Sequence, residues 1–170
     1  MLIVRRERVD DRATSRAVHA SAFATGEGEA VEAGLLDALR EDGFIAELSW
    51  VAELDGTVVG HCISTRGAVG DVPALGLGPI GVQPDLQRGG VGTALMRASI
   101  GAADALGEPL IALLGDPGYY GRFGFVASGA VGIEPPEAGW GAYFQVLTLS
   151  AWTPDISGPF RYAAPFDDLG

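Results

Sequence analysis

The chain has 170 residues, 48% of them hydrophobic, which is enough for one domain with a substantial core. It lacks any apolar run of the roughly eighteen residues that a membrane span needs, and its N-terminus lacks a signal peptide's order of charge before apolar stretch, so a cytoplasmic protein with no membrane partner is expected. A formal charge of −11 argues against nucleic acid as a partner and favours a cationic one; all 11 basic residues are arginines, a bias that carries little functional information by itself.

In chain order, residues 2–6 read as a short strand and residues 11–23 as a helix that Asp10 or Asp11 is placed to cap. A second helix over residues 29–41 carries Val31, Leu35, Ala38 and Leu39 at helical spacing, with Glu32, Asp37 and Arg40 off that stripe. Residues 48–54 and 57–65 are rich in β-branched and aromatic side chains and flank Asp55-Gly56, a two-residue hairpin turn. The single cysteine, Cys62, lies in this second strand among apolar neighbours and reads as a buried thiol rather than a nucleophile.

After a loop containing Gly and Pro, a strand over residues 74–82 carries Pro79 between Gly78 and Gly81. Regular central pairing does not tolerate that sequence, and a bulge explains it. The next helix places Val91, Leu95, Ala98, Ala102 and Leu106 on one face, and residues 110–114 return as a buried strand. A right-handed crossover makes the two strands of this βαβ unit parallel. Asp116-Pro117 opens a short helix, residues 144–149 form a last strand, residues 129–141 read as a long loop or hairpin, and residues 151–170 as a loosely structured tail.

Gln87-Arg88-Gly89-Gly90-Val91-Gly92 joins the strand ending at Val82 to the helix beginning near Val91. Small residues at such a turn leave backbone N–H groups open, and the positive end of the helix dipole points at whatever they hold, so a phosphate or pyrophosphate is the natural guest. A P-loop needs Lys before its Ser or Thr, and Gly92-Thr93 has none; the dinucleotide fingerprint wants a small residue where Leu95 stands.

The Gln-x-x-Gly-x-Gly pattern of Gln87, Gly90 and Gly92 resembles the acetyl-CoA pyrophosphate loop of GNAT-type N-acetyltransferases. Two flanking segments share the resemblance: residues 77–84 are similar to that family's fourth strand and its exit, and Tyr119-Tyr120-x-Arg122-Phe123-Gly124-Phe125 to a later segment found in a bacterial subgroup. The resemblance implies an α/β fold of α+β type: a central mixed β-sheet, flanked by helices, whose parallel strands splay apart to admit the pantetheine arm. It implies an acetyl-CoA-dependent N-acetyltransferase, with Ile80, Gly81, Val82, Gln87, Arg88, Gly89, Gly90, Val91, Gly92 and Thr93 facing the cosubstrate. The acceptor would be a primary amine on a small molecule or on another protein, and a homodimer is compatible with the family.

Direct attack of an amine on the thioester asks for a neutral amine, a stabilised carbonyl oxygen and a proton for the departing thiolate. Backbone N–H groups around Ile80 to Val82, freed by the bulge, answer the second need. Tyr120, four residues before Gly124, matches the family's thiolate-protonating tyrosine, with Tyr119 the competing choice, whose side chain should point elsewhere. For the acceptor, Glu32 on the second helix is a candidate ligand for a cationic amine and also an ordinary surface glutamate. His61 has a suitable pKa for a site role, although a lone strand histidine is more often structural. Arg88 suits a cofactor phosphate and Arg122 a structural cap; bulk water can take the amine proton. The other readings left open are a non-catalytic acyl-CoA-binding module, which needs no Tyr120, and a nucleotide-binding α/β protein, which the absent Lys and metal-ligand pattern disfavour.

Overall fold

The computed structural model describes residues 1–26 and 28–169. A mixed sheet runs in the order β1 (Leu2–Arg6), β2 (Ser49–Leu54), β3 (Thr57–Val69), β4 (Val72–Val82), β5 (Leu110–Leu114), β8 (Phe144–Thr148), β6 (Val126–Ala127). Strand β9 (Gly158–Arg161) pairs with β3 and with β7 (Ile133–Glu134). Helices α1 (Arg12–Ala22) and α3 (Val91–Ala105) lie on opposite faces: a side chain at Gly60 would meet Leu95 and Val91 of α3, and the next residue, His61, bonds His19 of α1. Helix α2 (Val31–Glu41) packs beside α1.

The Asp55-Gly56 turn forms as expected, with φ of 50° and 86°, values that only Gly and a few polar residues such as Asp adopt readily. The loop expected between residues 65 and 74 is instead a continuation of the meander: β3 runs to Val69 and turns at Gly70-Asp71 directly into β4. Pairing of Cys62 with Ile80 and of Ser64 with Leu77 leaves Gly78 and Pro79 opposite the single residue Ile63, so the bulge is present. Strand β4 pairs with β5 in parallel only at Leu75 with Ile111 and Gly76 with Ala112. Beyond Gly76 the strands part, which opens the sheet at the C-terminal end of β4.

Four further expectations need correction. Asp11 does not cap α1; its carboxylate is held by the Arg5 guanidinium and by the Arg8 N–H. In α2 the buried residues are Ala33, Leu35, Leu36 and Leu39, while Val31 is exposed, because the face that meets α1 and the C-terminal segment is rotated from the one read off the sequence. In α3 the buried set is Val91, Leu95, Met96, Ser99 and Ala103; the helix ends at Ala105, so Leu106 stays in solvent.

The fourth concerns residues 151–170, which are no loose tail. Strand β9 adds to β3 through Ala68 with Arg161 and Val69 with Phe160, and Phe160 is 1% exposed. Gly67 makes this possible, since a Cβ there would lie 2.7 Å from the Arg161 carbonyl oxygen. The core divides accordingly. One part, including Leu48, Cys62, Leu95, Met96 and Leu113, fills the space under α3, and a second, including Leu110, Phe144, Val146 and Phe160, sits beneath the C-terminal segment.

Candidate active site

The turn after β4 curls into a backbone nest with the geometry to cradle an anion. Arg88 and Gly90 both have left-handed backbones, with φ of 63° and 91°, and Gly90 caps the N-terminus of α3. Alternating left- and right-handed residues turn successive N–H groups inward, and the helix dipole adds positive potential at the same point. A cavity of about 590 Å³ lies over this turn, lined by Ile80, Gly81, Val82, Gln87, Arg88, Gly90, Gly92 and Thr93. Of the residues expected here, Gly89 is exposed outside the lining, and Val91 turns its side chain into the core, leaving only its backbone near the turn.

Gln87 works through the backbone: its Nε2 donates to the Val82 carbonyl oxygen at 3.1 Å, tying the turn to the end of β4. On the other side of the strand, the Gln83 N–H donates to the Val59 carbonyl, one step beyond the Gly60 and Val82 pair. Antiparallel pairs alternate, so Gly81 faces β3 with its backbone groups whereas Ile80 and Val82 turn theirs toward the gap left by β5. Two backbone N–H groups therefore border the opening in the sheet.

The helical turn α4 (Pro117–Tyr120) begins where expected, with the Asp116 carboxylate accepting from the Gly118 N–H at 2.9 Å. It sets Tyr119 and Tyr120 edge to face, ring centroids 4.8 Å apart. Tyr120 covers the end of β5, where a Cβ at Gly115 would overlap its ring, and its other side packs toward Phe125. Burial pushes the Tyr120 phenol above its ordinary pKa, so the hydroxyl keeps its proton at neutral pH. Tyr119 points in a different direction from Tyr120, as the sequence suggested, yet it still lines the first cavity. Its hydroxyl reaches the first turn of α3, where a Cβ at Gly92 would come within 2.9 Å of it, and Arg122 stacks on its ring at 4.2 Å.

A second cavity, about 1140 Å³, opens along the splayed strands from Leu77 and Leu113 and shares Phe23, Ile80 and Tyr120 with the first. Glu32 and Leu35 of α2 form part of its wall, and the C-terminal segment supplies Tyr162 and Phe166. Trp140, from the residues read as a long loop, completes the aromatic side. None of these three aromatics was singled out from sequence, because their segment had no recognisable periodicity.

His61 lies in neither lining. The inward face of β3 buries it completely, with Nδ1 2.8 Å from His19 Nε2 and Nε2 2.9 Å from Ser49 Oγ. Ser49 in turn donates to Glu7, whose other carboxylate oxygen pairs with Arg40. The expectation that His61 binds substrate is thus corrected: its ring is sealed behind Gly81 by α1. Burial lowers the pKa of His61, and that of His19 to about 3, so both are neutral. Burial opposes ionisation of Glu7, yet the His61 Nε2–H, which donates mainly to Ser49 and lies 3.4 Å from Glu7, and the charge of Arg40 hold its pKa at about 2. The Cys62 thiol, pushed up by burial to about 12, is inert.

Residues 46–127 match the family model described as an acetyltransferase (GNAT) domain. The chain is 33% identical to the uncharacterized N-acetyltransferase YjhQ of Escherichia coli K12, over 94% of this chain and 91% of that protein. The crystal structure of the GNAT family N-acetyltransferase YhbS from Escherichia coli in complex with CoA superposes with a TM-score of 0.87 at 27% identity, covering 99% of this chain and 93% of YhbS. A GNAT family acetyltransferase from Brucella melitensis in complex with acetyl-CoA gives 0.77 at 34% identity, covering 98% and 99%. With its opened parallel strands, the left-handed turn before α3 and these relatives, the chain belongs to the GNAT family of N-acetyltransferases.

Proposed function

We propose that residues 1–170 act as one catalytic domain that transfers the acetyl group of acetyl-CoA to a primary amine by direct attack. The observation that carries this reading is the meeting of the two cavities at Phe23, Ile80 and Tyr120, beside the break in β4 pairing. The turn from Gln87 to Thr93 would take the pyrophosphate on its amides, with Arg88 beside it. The gap past Gly76 would take the pantetheine arm, and the backbone of Ile80 and Val82 would donate to its amides and to the thioester carbonyl.

The amine first loses its ammonium proton to water in the open cavity. Its nitrogen then forms a bond to the carbonyl carbon, the carbon–sulfur bond breaks with the electron pair leaving on sulfur, and the Tyr120 hydroxyl gives the thiolate its proton. The proton shed by the new amide nitrogen restores the phenol through solvent. A phenol held protonated by burial suits donation to a basic thiolate.

Thermal unfolding with acetyl-CoA, CoA and ATP, followed by an amine-dependent assay of CoA release, tests this. Acetyl-CoA and CoA at 100 times their dissociation constant should each add about 2.7 kcal/mol of stability, and ATP much less. Stabilisation with no CoA release for any amine would leave a binding module in place of the enzyme.

A further inference from the structure

We infer that the acceptor is a cationic amine carried on a bulky apolar body. The inference rests on the acetyl-transfer reading above and names the substrate class of the same site.

The larger cavity joins two unlike surfaces. One is aromatic: Tyr162 lies 4.6 Å from Phe166 and 4.9 Å from Phe160, centroid to centroid, and Trp140 continues the wall. The Tyr162 ring sits against β4 because Gly76 has no side chain; a Cβ there would fall 2.6 Å from the ring. This aromatic wall therefore begins at the residue where β4 and β5 part.

The other surface is acidic. Glu32, Glu134, Glu137 and Asp167 line the cavity, and none of them forms a salt bridge among the described residues. The arginines that hold carboxylates are engaged elsewhere: Arg5 with Asp11 and Glu53, Arg16 with Glu29 and Asp37, Arg40 with Glu7, Arg66 with Glu108. Among the described residues, Arg161 is the one basic residue in the lining, and its Nη2 donates to the Gly70 carbonyl oxygen. Uncompensated carboxylates beside aromatic faces favour an organic cation twice over, by charge and by attraction to the rings, and they disfavour a carboxylate on the ligand. Part of this cavity is the splayed-strand gap that the pantetheine arm would take; the part walled by Tyr162, Phe166 and Trp140 lies beyond it and offers an apolar body its aromatic faces.

Amine-dependent CoA release should be measured with tryptamine, tryptophan, ethylamine and spermidine at saturating acetyl-CoA. Tryptamine should exceed each of the others in kcat/KM by about tenfold or more, tryptophan failing for its carboxylate and ethylamine and spermidine for lacking an apolar body. The Glu134→Gln/Glu137→Gln double variant changes only exposed side chains. It should raise KM for tryptamine severalfold and leave the acetyl-CoA dissociation constant unchanged. Equal use of tryptophan and tryptamine, or preference for spermidine or ethylamine, would overturn the inference while leaving acetyl transfer standing. If no amine is turned over, calorimetric titration of tryptamine into the CoA-loaded protein decides, and no binding at millimolar concentration overturns it. Failure of acetyl-CoA itself to bind would strike the underlying reading instead.

Discussion

His19 and His61 share one proton in the protein interior, with His19 Nε2 2.8 Å from His61 Nδ1 and both rings fully buried. The order of donors follows from the far end. Ser49 donates its single hydrogen to Glu7, so it accepts from His61 Nε2; His61 Nδ1 is then the acceptor, and His19 Nε2 the donor. His19 Nδ1 is left as a bare lone pair with no hydrogen-bond partner among the described residues, turned toward Gly81. Every donor in the chain points toward the carboxylate, an arrangement that requires both imidazoles neutral.

Stability should therefore depend on pH in a defined window. The pKa of His19 falls on folding from 6.5 to about 3, so between those values the unfolded chain holds a proton that the folded chain excludes. The stabilisation is full above pH 6.5 and is lost as pH falls, at about 1.4 kcal/mol per unit, with His61 acting in the same direction. Glu7, ordinarily near 4.5 and held at about 2, adds its own loss only below pH 4.5. Urea unfolding between pH 7.5 and 5 isolates the histidines. A flat profile across that range, or an unchanged slope in His19→Gln, would contradict the neutral pair.

Gly81→Ala tests the contact between this network and the site. The new Cβ would fall 2.8 Å from His19 Nδ1 and 3.2 Å from its Cε1, in a packed interior where the ring has little room to retreat. A loss of about 1–3 kcal/mol is expected. Combining it with His19→Ala should recover part of that loss, since the overlap disappears; strictly additive effects in the double-mutant cycle would refute the contact.

Gly92→Val addresses the anion cradle. Gly92 has no left-handed backbone, so the helix should survive, but its Cβ would press on the Tyr119 hydroxyl and cover the N–H groups of the first turn of α3. CoA affinity should fall by about tenfold or more, the loss of one charge-assisted hydrogen bond. Calorimetry on the folded variant reads this directly, and undiminished affinity would remove the pyrophosphate from this turn.

How far the sequence reached depended on whether its signals were local. The Asp55-Gly56 turn, the Gly78-Pro79 bulge and the Asp116 cap each depend on a few adjacent residues, and all three formed. The buried faces of α2 and α3 slipped because small residues such as Ala38 and Ala102 fit either side of a helix, so periodicity alone could not orient them. Strand β9 was missed because its reason for existing lies far away in the chain, at Gly67, Ala68 and Val69. With it went most of the aromatic wall of the larger cavity. His19 was overlooked for the same reason, since only its meeting with His61 gives it meaning.

Tyr120→Phe and Tyr119→Phe should divide the two tyrosines by role. The Tyr120 ring is fixed against Gly115 and Phe125 and borders both cavities, so removing its hydroxyl alters packing little. With Tyr120→Phe, the acetyl-CoA dissociation constant should hold while kcat falls by about 10²-fold, the usual share of a general acid. Tyr119 faces the turn at Gly92, in the smaller cavity alone, and Tyr119→Phe should act on cosubstrate affinity instead, by a few-fold, with kcat largely kept. Single-turnover rates with a preferred amine separate chemistry from product release. Wild-type turnover by Tyr120→Phe under those conditions would mean that solvent, rather than Tyr120, protonates the leaving thiolate.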